Sequence, residues 1–232
     1  MNIQWLGHAS FRIEIEQAVI LIDPWLTGNP SFPTDRRAEA IAGATHILIT
    51  HGHFDHTAEL DEIARDTGAI VAGIPEICAA AGAQGHDTID FNKGGTINLH
   101  GAAVSMVNAV HSSSMKTPDG VIYAGTESGY MIAGEGHVIY VSGDTDVMAD
   151  MAWMGEFYAP DIGILCAGGH YTMDMRRAAF ACRKYFDFKT VIPCHYKTFP
   201  ILEQDADVLA AALDEGVVIE PEVLKPIAIN PV

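Results

Sequence analysis

The run His51-Gly52-His53-Phe54-Asp55-His56 sets three imidazoles and a carboxylate close together, all donor types that bind divalent cations. Residues two apart on an extended backbone face the same side, so His51 and His53 can share one ion. A turn into a helix then directs Asp55 and His56 at a second, and Gly52 permits the tight path. Other apolar runs also end in a residue able to hold a metal. Residues 47–50 lead into His51, 104–110 into His111, 138–143 into Asp144 and 191–194 into His195. Two more end in Asp23 and His170. If neighbouring strands are parallel, their carboxyl ends share one edge, where open α/β sheets place their ligands, and these polar groups converge.

The elements needed for that convergence are legible as hydrophobic patterns. Residues 3–6, 11–15 and 19–22 read as strands, the second alternating with period two, and suggest an opening antiparallel meander. Thr57 is placed to cap a helix that carries Leu60, Ile63 and Ala64 on one face and stops near Gly68, with a strand at 69–71 behind it. A second helix starts near Asp174 with Met175, Ala178, Ala179, Cys182 and Phe186 on one stripe, and a third is expected over 205–215, closed by Gly216. Further strands fall at 97–99, 104–110, 130–133, 138–141, 162–166 and 191–193. Many strands with few helices imply sheet packed on sheet with helices outside, in one domain over 1–232.

Composition narrows the function classes. The 232 residues carry 30 Asp+Glu against 13 Lys+Arg, a net charge of −17, and 49% are apolar, which fits a folded acidic protein. Basic residues occur as isolated doublets such as Arg36-Arg37 and Arg183-Lys184, not as the aromatic-studded basic stripe of a nucleic-acid groove. The four Cys form no CxxC and are expected as free thiols. With no basic leader at Met1 and no run of about 18 apolar residues, the expected location is the cytoplasm, with no membrane partner.

The run at 51–56, His111, Gly143-Asp144-Thr145, His195 and the early Leu21-Ile22-Asp23-Pro24 together resemble the metallo-β-lactamase superfamily. Gly7-His8-Ala9-Ser10-Phe11, Tyr171-Thr172-Met173 and residues 195–200 are more particularly similar to its compact branch of metal-dependent hydrolases, related to the ascorbate-phosphate lactonases. The resemblance spans nearly the whole chain, with Lys197 and His170 as small departures. It implies an α/β fold, a four-layer αββα sandwich, with two divalent ions between the sheets. It also implies that His51, His53 and His111 hold one ion, that Asp55, His56 and His195 hold the other, and that Asp144 bridges both. Members of this size often associate with copies of themselves.

Imidazoles and carboxylates without thiolates suit Zn²⁺, Mn²⁺, Fe²⁺ or Ni²⁺, with zinc the default and manganese the main rival. Two such ions can hold a shared hydroxide at neutral pH and polarise a carbonyl or phosphoryl oxygen, so the expected activity is hydrolysis of a small ester, lactone or phosphoester. Asp55 and Asp144 are then catalytic as well as metal-binding. No G-x-S-x-G occurs, and Ser112-Ser113-Ser114 reads as a wall of the site. His170 is a candidate proton donor to the leaving group. His8 can contact substrate from the first loop, Asp23 can orient a ligand imidazole, and Tyr196 or Lys197 can reach substrate. Cys194 is expected to pack on the opposite face, and His46, His86, His100 and His137 read as turn or surface residues. Three other classes compete: an RNA or DNA phosphodiesterase, which the charge argues against, an iron oxidoreductase, and a metalloprotein whose ions only tie strands together.

Overall fold

Short apolar runs build two six-stranded sheets in the computed structural model, which describes residues 1–117 and 120–229. The first half of the chain runs β1 (Asn2–Trp5), β2 (Phe11–Ile15), β3 (Ala18–Ile22), α1 (Arg37–Ile41), β4 (His46–Leu48), α2 (Phe54–Thr57), α3 (Leu60–Thr67), β5 (Ile70–Gly73), α4 (Pro75–Ala83) and β6 (Thr88–Asp90). The second half begins with β7 (Thr96–Leu99), β8 (Ala102–Asn108) and the hairpin strands β9 (Ser114–Thr117) and β10 (Gly120–Tyr123). It continues with β11 (Ser128–Gly134), β12 (His137–Val141), α5 (Met151–Tyr158), β13 (Ile162–Cys166), α6 (Met175–Tyr185), β14 (Thr190–Cys194) and α7 (Asp207–Ala212).

The first sheet has its strands in sequence order, with β1 to β3 the antiparallel meander and β3 to β6 parallel. The second is ordered β14-β13-β12-β11-β8-β7, with β12, β13 and β14 parallel. Two antiparallel steps through β11 bring β8 into the same direction as β12. The carboxyl ends of β8, β12 and β14 therefore lie along one edge of this sheet, as those of β3 and β4 do in the other. Strand β13 is buried throughout, as is β14, which ends its sheet and whose outer side bonds at Val191 to residues 217–219, whereas the edge strand β1 alternates. The sheets share one hydrophobic core, with helices on the outer faces: this is an α/β, four-layer αββα sandwich.

Several boundaries differ from the sequence patterns. Thr57 does not cap α3; it ends α2, its hydroxyl donates to the His53 carbonyl at 3.0 Å, and α3 starts at Leu60. The third helix stops at Ala212 because Leu213 is extended and the chain turns back to pair Val218 with Val191. Phe186 lies just past α6, and β8 ends at Asn108, leaving Val110 half exposed. Helices α4 and α5 were invisible because apolar residues surround them without a one-sided stripe, and Gly155 interrupts α5. Pro118 and Asp119 lie outside the described residues, and the segments on either side of them pair as β9 and β10. No helix among the described residues is long and apolar enough to cross a membrane.

Gly155 is required by packing, since a Cβ there would sit 1.9 Å from the Tyr185 carbonyl oxygen at the α5–α6 crossing. Gly155→Ala is expected to cost about 1–3 kcal/mol through forced separation of the two helices. Urea unfolding checks this, and an unchanged midpoint would contradict it.

Candidate metal centre

The two strand-end edges face each other, and the predicted donors meet between them. Asp144 follows β12 through Gly143, whose φ of +58° and close approach to the Ser128 carbonyl, 2.4 Å from a built Cβ, leave room for glycine only. The Asp144 Oδ2 atom lies 3.0 Å from His195 Nε2, 3.4 Å from His56 Nε2, 3.6 Å from His111 Nε2 and 3.9 Å from His51 Nε2. Asp55 Oδ2 lies 3.6 Å from His195 Nε2 and 3.8 Å from His56 Nε2. His51 Nε2 and His53 Nδ1 are 3.0 Å apart. His51, His53 and His111 form one group of donors able to share an ion, and Asp55, His56 and His195 belong to another that includes His8.

These spacings suit a metal. Donors held about 2.1 Å from one ion lie about 3.0 Å apart at a right angle and about 3.4 Å apart in a tetrahedron. The orphaned atoms point the same way: His56 Nε2 and Asp144 Oδ1 are buried with no hydrogen-bond partner. Leaving such groups unpaired would cost about 1–3 kcal/mol each, more for the charged one.

Asp23 prepares two of the imidazoles. It follows β3 with φ +43° and is fully buried. Its Oδ1 accepts the Thr50 N–H at 2.8 Å, and its Oδ2 accepts Thr50 Oγ1 at 2.6 Å and faces His56 Nδ1 at 2.7 Å. In its neutral form His56 thus keeps its proton on Nδ1 and turns the Nε2 lone pair inward. Because the Thr50 hydroxyl donates to Asp23, it accepts from His51 Nδ1 at 3.0 Å, and His51 also presents a free Nε2. Sequence reasoning had one imidazole oriented by Asp23; the relay through Thr50 was not visible in it.

His8 occupies the β1–β2 turn at φ +53°, with Nε2 2.9 Å from Asp55 Oδ2 and Nδ1 2.8 Å from Thr198 Oγ1. It is completely buried behind Asp55, so the expected contact with substrate is replaced by a hold on that carboxylate. Three further expectations are corrected. His170 is exposed, stacked edge-on against Tyr171, and is not among the described residues lining the central cavity, because the Gly168-Gly169 turn carries it outward. Tyr196 is buried in the core, stacked on Trp5 at 5.7 Å. Lys197 points to the surface, where it pairs with Glu220. Cys194 packs in the core as expected, whereas His46 is buried against His100 instead of sitting at the surface, and burial pushes its pKa down to about 4.

Above the donors opens a cavity of about 600 Å³. Its floor includes Asp55, Asp144 and His195; Phe54, Val121, Tyr171, Phe199 and Ile201 make its walls apolar, and Ser112, Ser114 and Lys116 add polar groups. Ser113 is buried beside it, where its hydroxyl accepts the Gly52 N–H at 3.1 Å and pins the metal-binding run to the hairpin. Lys116 and the apolar wall were missed because no local pattern shows that β9 and β10 fold over the site.

Residues 2–195 match the β-lactamase superfamily domain. The chain belongs to that superfamily and is a metal-dependent hydrolase. A UPF0173 metal-dependent hydrolase from Paracoccus denitrificans is 68% identical to it over 98% of this chain and 99% of its own length. The metallo hydrolase Igni18 of Ignicoccus hospitalis shares the fold with a TM-score of 0.83 at 33% identity, covering 97% of each chain. CmlA, a diiron β-hydroxylase from Streptomyces venezuelae, is alike in fold alone: TM-score 0.75 at 15% identity over 98% of this chain and 54% of that one.

The electrostatics of the metal-free hydrolase are those of an ion pair cluster. Burial opposes charge on His56 and His195, but Asp144 and its neighbours outweigh it, raising His56 well above the usual imidazole range and His195 to about 9. Burial likewise opposes ionisation of Asp144 and Asp55, and the facing imidazoles prevail and hold both carboxyls low. His51, His53 and His111 are shifted down, chiefly by burial, and stay neutral. Metal uptake at pH 7.5 must therefore expel protons from His56 and His195, about two in all, and apparent affinity should fall as pH drops below about 9. Titration calorimetry in buffers of different ionisation enthalpy measures this release, and a heat independent of buffer would contradict it. Asp23→Ala should weaken metal binding about 10- to 100-fold by freeing the His51 and His56 tautomers; unchanged affinity in a competition assay would refute that role.

Proposed function

We propose that this hydrolase binds two divalent cations and cleaves a small ester, lactone or phosphoester. His51, His53 and His111 hold one ion, Asp55, His56 and His195 the other, and Asp144 lies between them. The observation that carries this reading is the position of Asp144 Oδ2, which faces His111 and His51 from one set and His195 and His56 from the other within 3.0–3.9 Å. The thiolate-free donors favour zinc, with manganese as the main rival. When bound, such ions supply a water of lowered pKa as nucleophile and a Lewis acid for the acyl or phosphoryl oxygen.

The remaining work belongs to the chain. Asp23, directly and through Thr50, keeps His56 and His51 in their ligating tautomers, and His8 steadies Asp55. Phe54, Tyr171 and Phe199 exclude bulk water from the apolar wall and seat the body of the substrate, while Ser112 offers a hydroxyl near the floor, 3.4 Å from His53 Nε2. The cavity volume and the net charge of −17 favour a small molecule over a polynucleotide. Four free, buried cysteines agree with a reducing compartment, and we place the enzyme in the cytoplasm.

The test pairs metal content with turnover. Wild-type protein should carry about two ions per chain and hydrolyse members of an ester, lactone and phosphoester panel only when loaded. Asp144→Ala and His53→Ala should lose one or both ions and about 10³-fold or more of the activity, with unfolding still cooperative because the core is apolar. Full turnover in either variant, or in chelated protein, would end the assignment.

A further inference from the structure

Among the described residues Lys116 is the one Lys or Arg that lines the cavity above the metal centre. Carboxylates outnumber basic residues 30 to 13, and Arg12, Arg36, Arg37, Arg177, Lys189, Lys197 and Lys225 are all within ion-pair distance of one. Among the described residues Lys116 has no carboxylate at that distance, as is also true of Arg65, Lys93, Arg176, Arg183 and Lys184. Its ammonium instead lies 5.8 Å from the centroid of the Phe54 ring, and both side chains line the cavity above the metal centre. It is carried there by β9, paired through Lys116 with Val121 of β10, which lines the same cavity. The hairpin thus delivers one cation and one aliphatic side chain to the wall.

With two divalent ions bound, charge at the two ends of the cavity would have the same sign. Such ions would more than offset Asp23, Asp55 and Asp144 at the floor, and Lys116 adds a positive charge on the wall. Between them lie Phe54, Val121, Tyr171, Phe199 and Ile201, a surface suited to hydrocarbon or aromatic rings. A ligand complementary to this arrangement has three parts: a scissile group for the floor, an apolar body, and an anion for the ammonium. In a molecule of net charge −17 such an anion would be repelled from most of the surface, which makes a local cation a discriminating feature.

We propose that Lys116 is a specificity-determining residue that recognises an anionic group, carboxylate or phosphate, on an otherwise apolar ester or lactone substrate. This rests on the hydrolase reading above and adds the substrate's charge to it. The residue binds and orients; it takes no part in bond cleavage. Ser112 and Ser114 supply further hydrogen-bond capacity on the same wall.

Metal-loaded wild type, Lys116→Gln and Lys116→Glu would be assayed on phenyl acetate and 4-acetoxybenzoate, which share a scissile bond and differ by one carboxylate, and on 4-acetoxyphenyl phosphate as the phosphate counterpart. Lys116→Gln should lower kcat/KM for one or both anionic esters about tenfold, through KM, and leave phenyl acetate unchanged. Lys116→Glu should lower it further. The anionic preference of the wild type should shrink with added salt, and that of Lys116→Gln should not. Which anionic ester responds more identifies the carboxylate or the phosphate as the natural group. Equal losses on charged and neutral esters, or no loss, would overturn the proposal while leaving the hydrolase reading in place. Binding of terephthalate and 4-carboxyphenylacetate against benzoate gives a readout independent of turnover. At least one dianion should bind more tightly than benzoate to the wild type and lose that advantage in Lys116→Gln, even if no ester is cleaved. An advantage absent from the wild type, or kept by Lys116→Gln, would also refute the role of Lys116.

Discussion

The carboxylate of Asp144, buried where two sheets bring their strand ends together, is the constraint on which the rest of the molecule turns. A buried charge must be compensated within a few ångströms, and here the compensation comes from imidazoles of both halves of the chain. Without metal, protons on His56 and His195 can balance it; with metal, cations take their place. The polar cluster is therefore a cradle whose donors are held close together at sheet ends.

Holding it has a conformational cost. His8, Asp23 and His195 all adopt left-handed backbone conformations with φ between 43° and 58°, sparsely populated by residues other than glycine. Each directly follows or links paired strands, His8 between β1 and β2, Asp23 after β3 and His195 after β14, so the ladders supply the stability that the turns lack. The first sheet supplies most of the imidazoles and Asp23, and the second supplies Asp144, His111 and His195. Neither half carries all of the donors.

Much of this was legible as residue types at the ends of apolar runs. Parallel strands aim their ends at a shared edge, so His51, His111, Asp144 and His195 could be placed together without knowing a single torsion angle. Alternation along a strand also put Cys194 in the core and His195 on the opposite side. Past His195 that parity fails, because φ +58° reverses the path of the chain and sends Tyr196 inward to Trp5 and Lys197 out to Glu220. His170 was misplaced for a related reason, a glycine turn whose direction no pattern encodes. Helix α5 and the β9–β10 hairpin were hidden because what fixes them is distant: the Tyr185 carbonyl against Gly155, and the hydroxyl of Ser113 against Gly52. The chemistry was readable; the walls that choose a substrate were not.

The proposed dinuclear centre has Asp144 between its two cations. Crystals grown with zinc or manganese and measured at the metal's absorption edge test it most directly. Two anomalous peaks are expected, one among His51, His53 and His111 and one among Asp55, His56 and His195, with Asp144 between them. A single peak, or none within coordination distance of Asp144, would contradict it.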